Sequence, residues 1–297
     1  MKVHLVDGTY ELFRSYFALP PIPAPDGREV GAVRGIIQSL LYLLREDKVT
    51  HIACAFDHVV ESFRNGLYDG YKTGKGTPED LLAQFDLAER AVVSLGIQIW
   101  PMTEYEADDA LATAANYCSG LTEVEQVLIC SPDKDLAQMV RGDSVVCYDR
   151  RRETITGESG VVEKFGVPPT SIPDLLALTG DAADGIPGIP KWGAKTSAQI
   201  LAHYGRIEDI PKDAATWEVK VRGAASAAES LNAHTSEAML YKNLTTLRTN
   251  VPLDASPAAL EWQGVNRAGY ESLCDELGFG RLANLPHKWS DEAGGAK

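Results

Sequence analysis

The chain has 297 residues, of which 44% are hydrophobic and 24% charged, with a formal net charge of −14 at pH 7. That is the balance of a globular protein large enough for one sizeable domain and a smaller one. No apolar run approaches the roughly 18 residues of a spanning helix, and the N-terminus enters directly into VHLVDG in place of a signal peptide, so a cytoplasmic protein without membrane contact is expected. Five cysteines, odd in number and without CxxC spacing, are read as reduced packing residues.

In chain order, VHLV at 3–6, HIACAF at 51–56, IQIW at 97–100 and VLIC at 127–130 are short β-branched or apolar runs separated by helix-like stretches, with a further strand candidate at 145–149. This alternation predicts an α/β fold with a central, mostly parallel sheet flanked by helices. Between strands, YDGYKTGKGTPEDLLAQF at 68–85 interrupts the pattern with small and basic residues and is expected to be a loop leading to a helix near Pro78. From Val161 the pattern changes to short helices joined by Pro/Gly turns. The expected division is therefore a catalytic domain over 1–160, a smaller all-helical domain over 161–285 and a disordered tail over 286–297.

Nine carboxylates fall just after the apolar runs or open the helices that follow: Asp7, Asp57, Glu106, Asp108, Asp109, Asp133, Asp135, Asp181 and Asp184. Ligands of open α/β sheets bind beyond the carboxyl ends of the strands, so these acids are expected to converge. Taken singly, each has an ordinary explanation. Thr103 with Glu106 fits a capping box, acids favour a helix's first turn, and a lone Asp after a strand forms turns. Five such coincidences are less economical than one shared cause. Like charges at close range raise one another's pKa, and hard divalent cations relieve this through oxygen ligands, which points to Mg²⁺ or Mn²⁺. Two-metal hydrolysis of a phosphodiester is the expected chemistry, with Asp7, Asp57, Glu106 and Asp108 at one metal and Asp109, Asp133, Asp135, Asp181 and Asp184 at the other. Setting the nine acids aside leaves −14 + 9 = −5, so the net charge does not exclude a DNA partner.

A second motif, GIPGIPKWGAKTSAQIL at 185–201, is a Gly/Pro turn ending in a helix start, and its amides with Lys191 and Lys195 make a phosphate seat. Gly188, Gly193 and Thr196 complete this candidate DNA-binding turn. Arg14, Arg64, Lys72 and Lys75 are the basic residues expected near the acids, and Tyr71, flanked by polar residues, is expected to be exposed.

At LVDG, AFD, EADD, SPDKD and GDAADGIPG the sequence resembles the 5′-to-3′ exonuclease and flap endonuclease family, in the bacterial type that forms the N-terminal nuclease part of DNA polymerase I. The likeness extends from LVDGTYELFRSYFALPP to YESLCDELGFGRL, and all nine acids match the family's metal-binding positions. The resemblance implies a PIN-like nuclease fold with a helix-hairpin-helix domain and two or more Mg²⁺ or Mn²⁺ ions. It implies catalytic roles for Arg14 near the scissile phosphate and for Lys72 and Lys75 at the base of a helical arch, with Arg64 supporting the substrate. K⁺ is a further candidate at the hairpin, where Gly185 replaces a common Asn and Lys191-Trp192 precede Gly193. The implied substrates are DNA with 5′ flaps, nicks or 5′ ends and RNA primers in hybrids, cleaved in replication and repair by a free-standing, nucleoid-associated monomer. The rival readings are a PIN-type endoribonuclease and a non-catalytic structure-specific DNA-binding protein.

Overall fold

The structure is a computed structural model and describes residues 1–291. In chain order, the first half runs β1 (Lys2–Asp7), α1 (Gly8–Ala18), α2 (Gly31–Glu46), β2 (His51–Asp57), α3 (Glu79–Leu82), α4 (Phe85–Ser94), β3 (Gln98–Met102), α5 (Ala107–Cys118) and β4 (Gln126–Cys130). It continues with β5 (Val145–Asp149), β6 (Thr154–Thr156), α6 (Glu158–Phe165), α7 (Ile172–Thr179), α8 (Ala194–Tyr204), α9 (Ala224–Ala233), α10 (Thr235–Thr245), α11 (Pro257–Leu260) and α12 (Arg267–Leu277). Two compact units result: the first comprises Met1–Val60, Gly74–Ser131 and Thr249–Lys297, the second Glu61–Thr73 and Pro132–Arg248.

In the first unit four strands pair in parallel in the order β3-β2-β1-β4. The inner strands are buried along nearly their whole length, as continuous apolar runs covered on both faces should be. Helix α2 is amphipathic and buries Val33, Ile36, Ile37, Leu40 and Leu44, while its polar residues face water. Helix α1 starts at Gly8, which packs tightly against β2: an added Cβ would lie 2.5 Å from the Phe56 ring. The register sets Asp7 opposite Ala55 and Asp57 opposite Met102, so Asp7 and Asp57 end neighbouring strands with Asp57 two residues further along.

Residues after Thr249 belong to this first unit, whereas one helical domain running to about 285 was expected. The apolar face of this segment explains the difference. Trp262 is buried, its amide donates to Thr50 O at 2.7 Å and its indole Nε1 to Leu95 O at 2.8 Å. Val265, Tyr270 and Leu273 are buried with it, and the Asn266 amide bonds Ser94 O. Nor is the chain from 286 a loose tail. Val265 and Lys288 bond through their backbones, as do Ser290 and Val265, and Arg267 pairs with Asp291 at 3.0 Å. The remainder of the expected tail, 292–297, lies outside the described residues.

The second unit holds an antiparallel pair, β5 and β6, and the helices α6 to α10 around a core that includes Val161, Ile172, Leu176, Ile200 and Tyr241. The expected strands and helices recur within a residue or two of their sequence positions, and β6, exposed and only three residues long, is the strand that hydrophobic patterning missed. Among the described residues no helix is long and apolar enough to cross a membrane.

Candidate metal centre and DNA-binding residues

In the first unit Asp7 and Asp57 are each held by an amide at a helix N-terminus. Asp7 caps α1, accepting from the Tyr10 amide at 2.8 Å and from the Ser131 hydroxyl at 2.9 Å. Asp57 accepts from the Ala107 amide at 2.8 Å, while its own amide donates to Thr9 Oγ1. These amides orient the carboxylates and supply partial positive charge at two helix N-termini. Helix α5 is capped by Glu106 and Asp109 reciprocally, with the Asp109 carboxylate accepting from the Glu106 amide at 3.1 Å. The capping box anticipated from Thr103 is thus built one turn later. Asp109, expected with the second metal's ligands, is fully buried one turn from Glu106, and its Oδ2 serves this cap.

The second unit carries the other acids. Carboxylate oxygens of Asp135, Asp181 and Asp184 lie within 4.8 Å of one another, close enough for one cation. Asp135 opens a 3₁₀ turn, Asp135–Met139, and its amide donates to Asp133 Oδ1 at 2.8 Å. Asp181 is fixed by a two-way backbone bridge to Ile186, and its Oδ1 accepts from the Ala183 amide, an Asx turn. The Asp135 carboxyl is pushed well above the usual carboxylate range, first by burial and then by the charges of Asp133, Asp184 and Asp181. Its Oδ1 is buried without a hydrogen-bond partner. An orphaned carboxylate oxygen among three other acids is what an oxygen-seeking divalent cation would satisfy, so this donor set fits Mg²⁺ or Mn²⁺.

Lysines neutralise part of this cluster. Lys134 Nζ lies 2.7 Å from Asp181 and Lys72 Nζ 3.0 Å from Asp184. Burial works against the Lys134 ammonium, but the hydrogen bond to Asp181 and the fields of Asp181, Asp135 and Asp133 outweigh it and raise its pKa. Lys134 and Ser131 were missed by sequence reasoning, although both lie inside the SPDKD motif between or beside its acids. The close approach of residues 70–72 to this site depends on Gly185, whose φ is +74° and whose added Cβ would lie 2.1 Å from Gly70 O.

The basic and aromatic candidates separate by burial. Arg14 is half-buried and ion-paired to Glu11, and Lys75 is exposed. Arg64 is 1% exposed and donates to the carbonyls of Leu244 at 2.8 Å and Thr246 at 3.3 Å. It ties down the chain after α10, and direct contact with a ligand is closed to it in this conformation. Tyr71, expected to be exposed, is 4% exposed within the second unit's core, because Tyr68 and Asn65 turn the 65–72 segment inward. In the Gly/Pro hairpin, Ile186, Ile189 and Trp192 are buried anchors, and Trp192 Nε1 donates to Ala227 O at 3.0 Å. Gly188 packs against Gly180, Lys191 adopts a left-handed φ of 73°, and Gly193 caps α8. Lys191, Gly193 and Lys195 are exposed and Thr196 half-buried, so the helix start faces solvent.

Two family descriptions match the sequence: the N-terminal resolvase-like domain of 5′-3′ exonucleases over residues 2–166, and their C-terminal SAM fold over residues 167–268. The chain belongs to the 5′-3′ exonuclease family. DNA polymerase I of Rhizobium leguminosarum is 39% identical over 266 residues, covering 86% of this chain and 25% of that protein. DNA polymerase I of Bacillus subtilis is 32% identical, covering 98% of this chain and 33% of that protein. This family member therefore spans a quarter to a third of the length of these relatives. Among solved structures, T5 5′-exonuclease with divalent zinc ions superposes with a TM-score of 0.68 at 18% identity, covering 93% of this chain and all of that one. The catalytic core of Rad2 in complex with DNA substrate gives 0.62 at 13% identity, covering 96% of this chain and 90% of that one. At these identities the likeness establishes the fold: a PIN-like resolvase domain with a mostly parallel sheet and a helical SAM-fold domain, as the sequence pattern and the resemblance implied.

Proposed function

We propose that the chain is a divalent-metal-dependent 5′-nuclease that hydrolyses DNA phosphodiester bonds near 5′ ends, flaps and nicks. The single observation that carries this reading is the Asp135, Asp181 and Asp184 cluster with its orphaned oxygen; in the first unit, helix amides already orient the strand-end acids Asp7 and Asp57. Asp7, Asp57, Glu106 and Asp108 would hold one Mg²⁺ or Mn²⁺, and Asp133, Asp135, Asp181 and Asp184 the other. The ions would supply an activated water and stabilise the departing 3′ oxygen. The chain's own part is to fix the carboxylates through the Tyr10, Ala107 and Ala183 amides and to balance their charge with Lys134 and Lys72. Lys191, Lys195 and the amides of the α8 start would seat duplex phosphates, with K⁺ as a candidate ion there. Lys72 and Lys75 would guide a single-stranded 5′ end. RNA primers in hybrids, action as a monomer, and a cytoplasmic, nucleoid-associated setting in replication and repair complete the reading. The coupling of family membership to an intact acid set favours it over RNA cleavage or binding alone.

Product mapping on end-labelled flap, nicked and blunt duplexes, with Mg²⁺ and with chelator, is the test. Cleavage should need the metal and start at 5′ ends. Asp135→Asn and Asp181→Asn should each lower the rate on the order of 10²–10³-fold while DNA binding persists. Near-normal turnover in both variants would refute the metal assignment.

A further inference from the structure

Helix α1 begins at the Asp7 cap, and Arg14 lies seven residues further on the same helical face, on the order of 10 Å along the axis. Its Nη2 pairs with Glu11 Oε2, one turn back, and donates to Ser39 Oγ on α2 at 2.9 Å. The Ser39 hydroxyl donates in turn to the same Glu11 oxygen at 2.7 Å. Three side chains thus close a ring. Their exposure is unequal: Glu11 is 1% exposed, while the Arg14 side chain keeps 30% and its Nε has no hydrogen-bond partner.

A pair kept for helix stability alone would contribute little at this spacing, and burying a carboxylate to obtain it would be a poor exchange. The asymmetry has a different use. The acid is buried and rigid, while the Arg14 side chain keeps its exposed part on the face that leads from Asp7.

We propose that Glu11 and Ser39 are positioning residues that hold the Arg14 guanidinium ready for a phosphate of a DNA strand bound at the Asp7 set. This rests on the nuclease reading above. Glu11 offsets part of Arg14's charge, so the ring weakens ground-state attraction to phosphate and supplies fixed geometry instead. The two effects have opposite signs in a variant. Glu11→Gln keeps the shape and frees the charge of Arg14. DNA affinity should then hold or tighten, while the single-turnover cleavage rate falls about tenfold.

The experiment measures, for the full chain on a 5′-flap duplex, single-turnover rates in Mg²⁺ and DNA affinity without divalent metal. The variants are Glu11→Gln, Arg14→Ala, their combination, Ser39→Ala and Ser39→Thr. The expected results are a slower Glu11→Gln with undiminished affinity and no further loss when it is added to Arg14→Ala. Ser39→Ala should be slowed and Ser39→Thr restored, because threonine keeps the hydroxyl. The proposal is overturned if Glu11→Gln cleaves at the parental rate, if it weakens affinity in step with rate, or if its penalty persists in the Arg14→Ala background. Should Glu11→Gln not fold, equal rates for Ser39→Ala and Ser39→Thr overturn it instead. A parental chain that cleaves none of the metal-supplied DNA overturns the nuclease reading itself, a distinguishable result.

Discussion

Asp135 is the residue at which stability and proposed function pull in opposite directions. A carboxyl whose folded pKa is raised gains stability as pH falls through that raised value and is a burden above it, so ionising Asp135 works against the metal-free fold. Asp135→Asn removes that charge with little change in volume. The variant should therefore melt higher than the parent in chelator, by a few degrees for about 1 kcal/mol, and should lose the rise in Tm that Mg²⁺ gives the parent. Scanning calorimetry with and without Mg²⁺ checks both. At this scale the sequence pattern leads to the Asp135, Asp181 and Asp184 grouping and not to its neighbours. The acids announce themselves by recurring after apolar runs. Tyr71 reads as exposed from its polar flanks and Arg64 as a substrate contact from the family resemblance, yet burial is decided by the turn at 62–72, whose bonds to Leu244, Thr246 and Asp184 join residues far apart in the chain.

Among the elements, α10 shows how a buried charge holds a helical unit together. Asp174 in α7 is 1% exposed and bonds Lys242 at 2.8 Å and the Ile207 amide at 2.9 Å, and Lys242 also reaches Glu208. Burial alone would lower the Lys242 pKa, but hydrogen bonds to Asp174 and Glu208 raise it above the ordinary lysine value of 10.5. A raised lysine pKa means that the contribution is whole below the unfolded value and is lost as pH climbs through the folded one. Stability should accordingly decline above about pH 10.5. Lys242→Met should abolish that alkaline limb and, by stranding the Asp174 carboxylate, cost about 2–4 kcal/mol at neutral pH in denaturant titrations. The elements themselves were largely legible, because parallel strands buried on both faces and amphipathic helices have distinct periods. What patterning could not assign was membership. Helices α11 and α12 are short like many before them, and long-range contacts such as those of Trp262 with Thr50 and Leu95 and of Asn266 with Ser94 make them part of the first unit.

For the molecule as a whole, the −14 charge is a constraint on any DNA partner: its phosphates must meet local cations such as Lys191 and Lys195 or acids already balanced by metal. That much followed from composition and motif spacing, since each acidic motif and the Gly/Pro hairpin is a contiguous signal. The Glu11, Ser39 and Arg14 ring was not legible, because Ser39 comes from another helix. The return segment offers a global test. Trp262→Ala removes a large buried ring together with its indole bond and should cost about 3–5 kcal/mol, with hydrogen exchange in β2 and α4 accelerating in parallel.

The first unit is assembled from three stretches of chain, the last beginning at Thr249, after the whole of Pro132–Arg248. On a ribosome adding about 5–20 residues per second, its sheet emerges on the order of ten seconds before the indole that seals it. A nascent intermediate with an uncovered apolar edge follows, and chaperone capture during synthesis should peak while residues between Ser131 and Trp262 are being made.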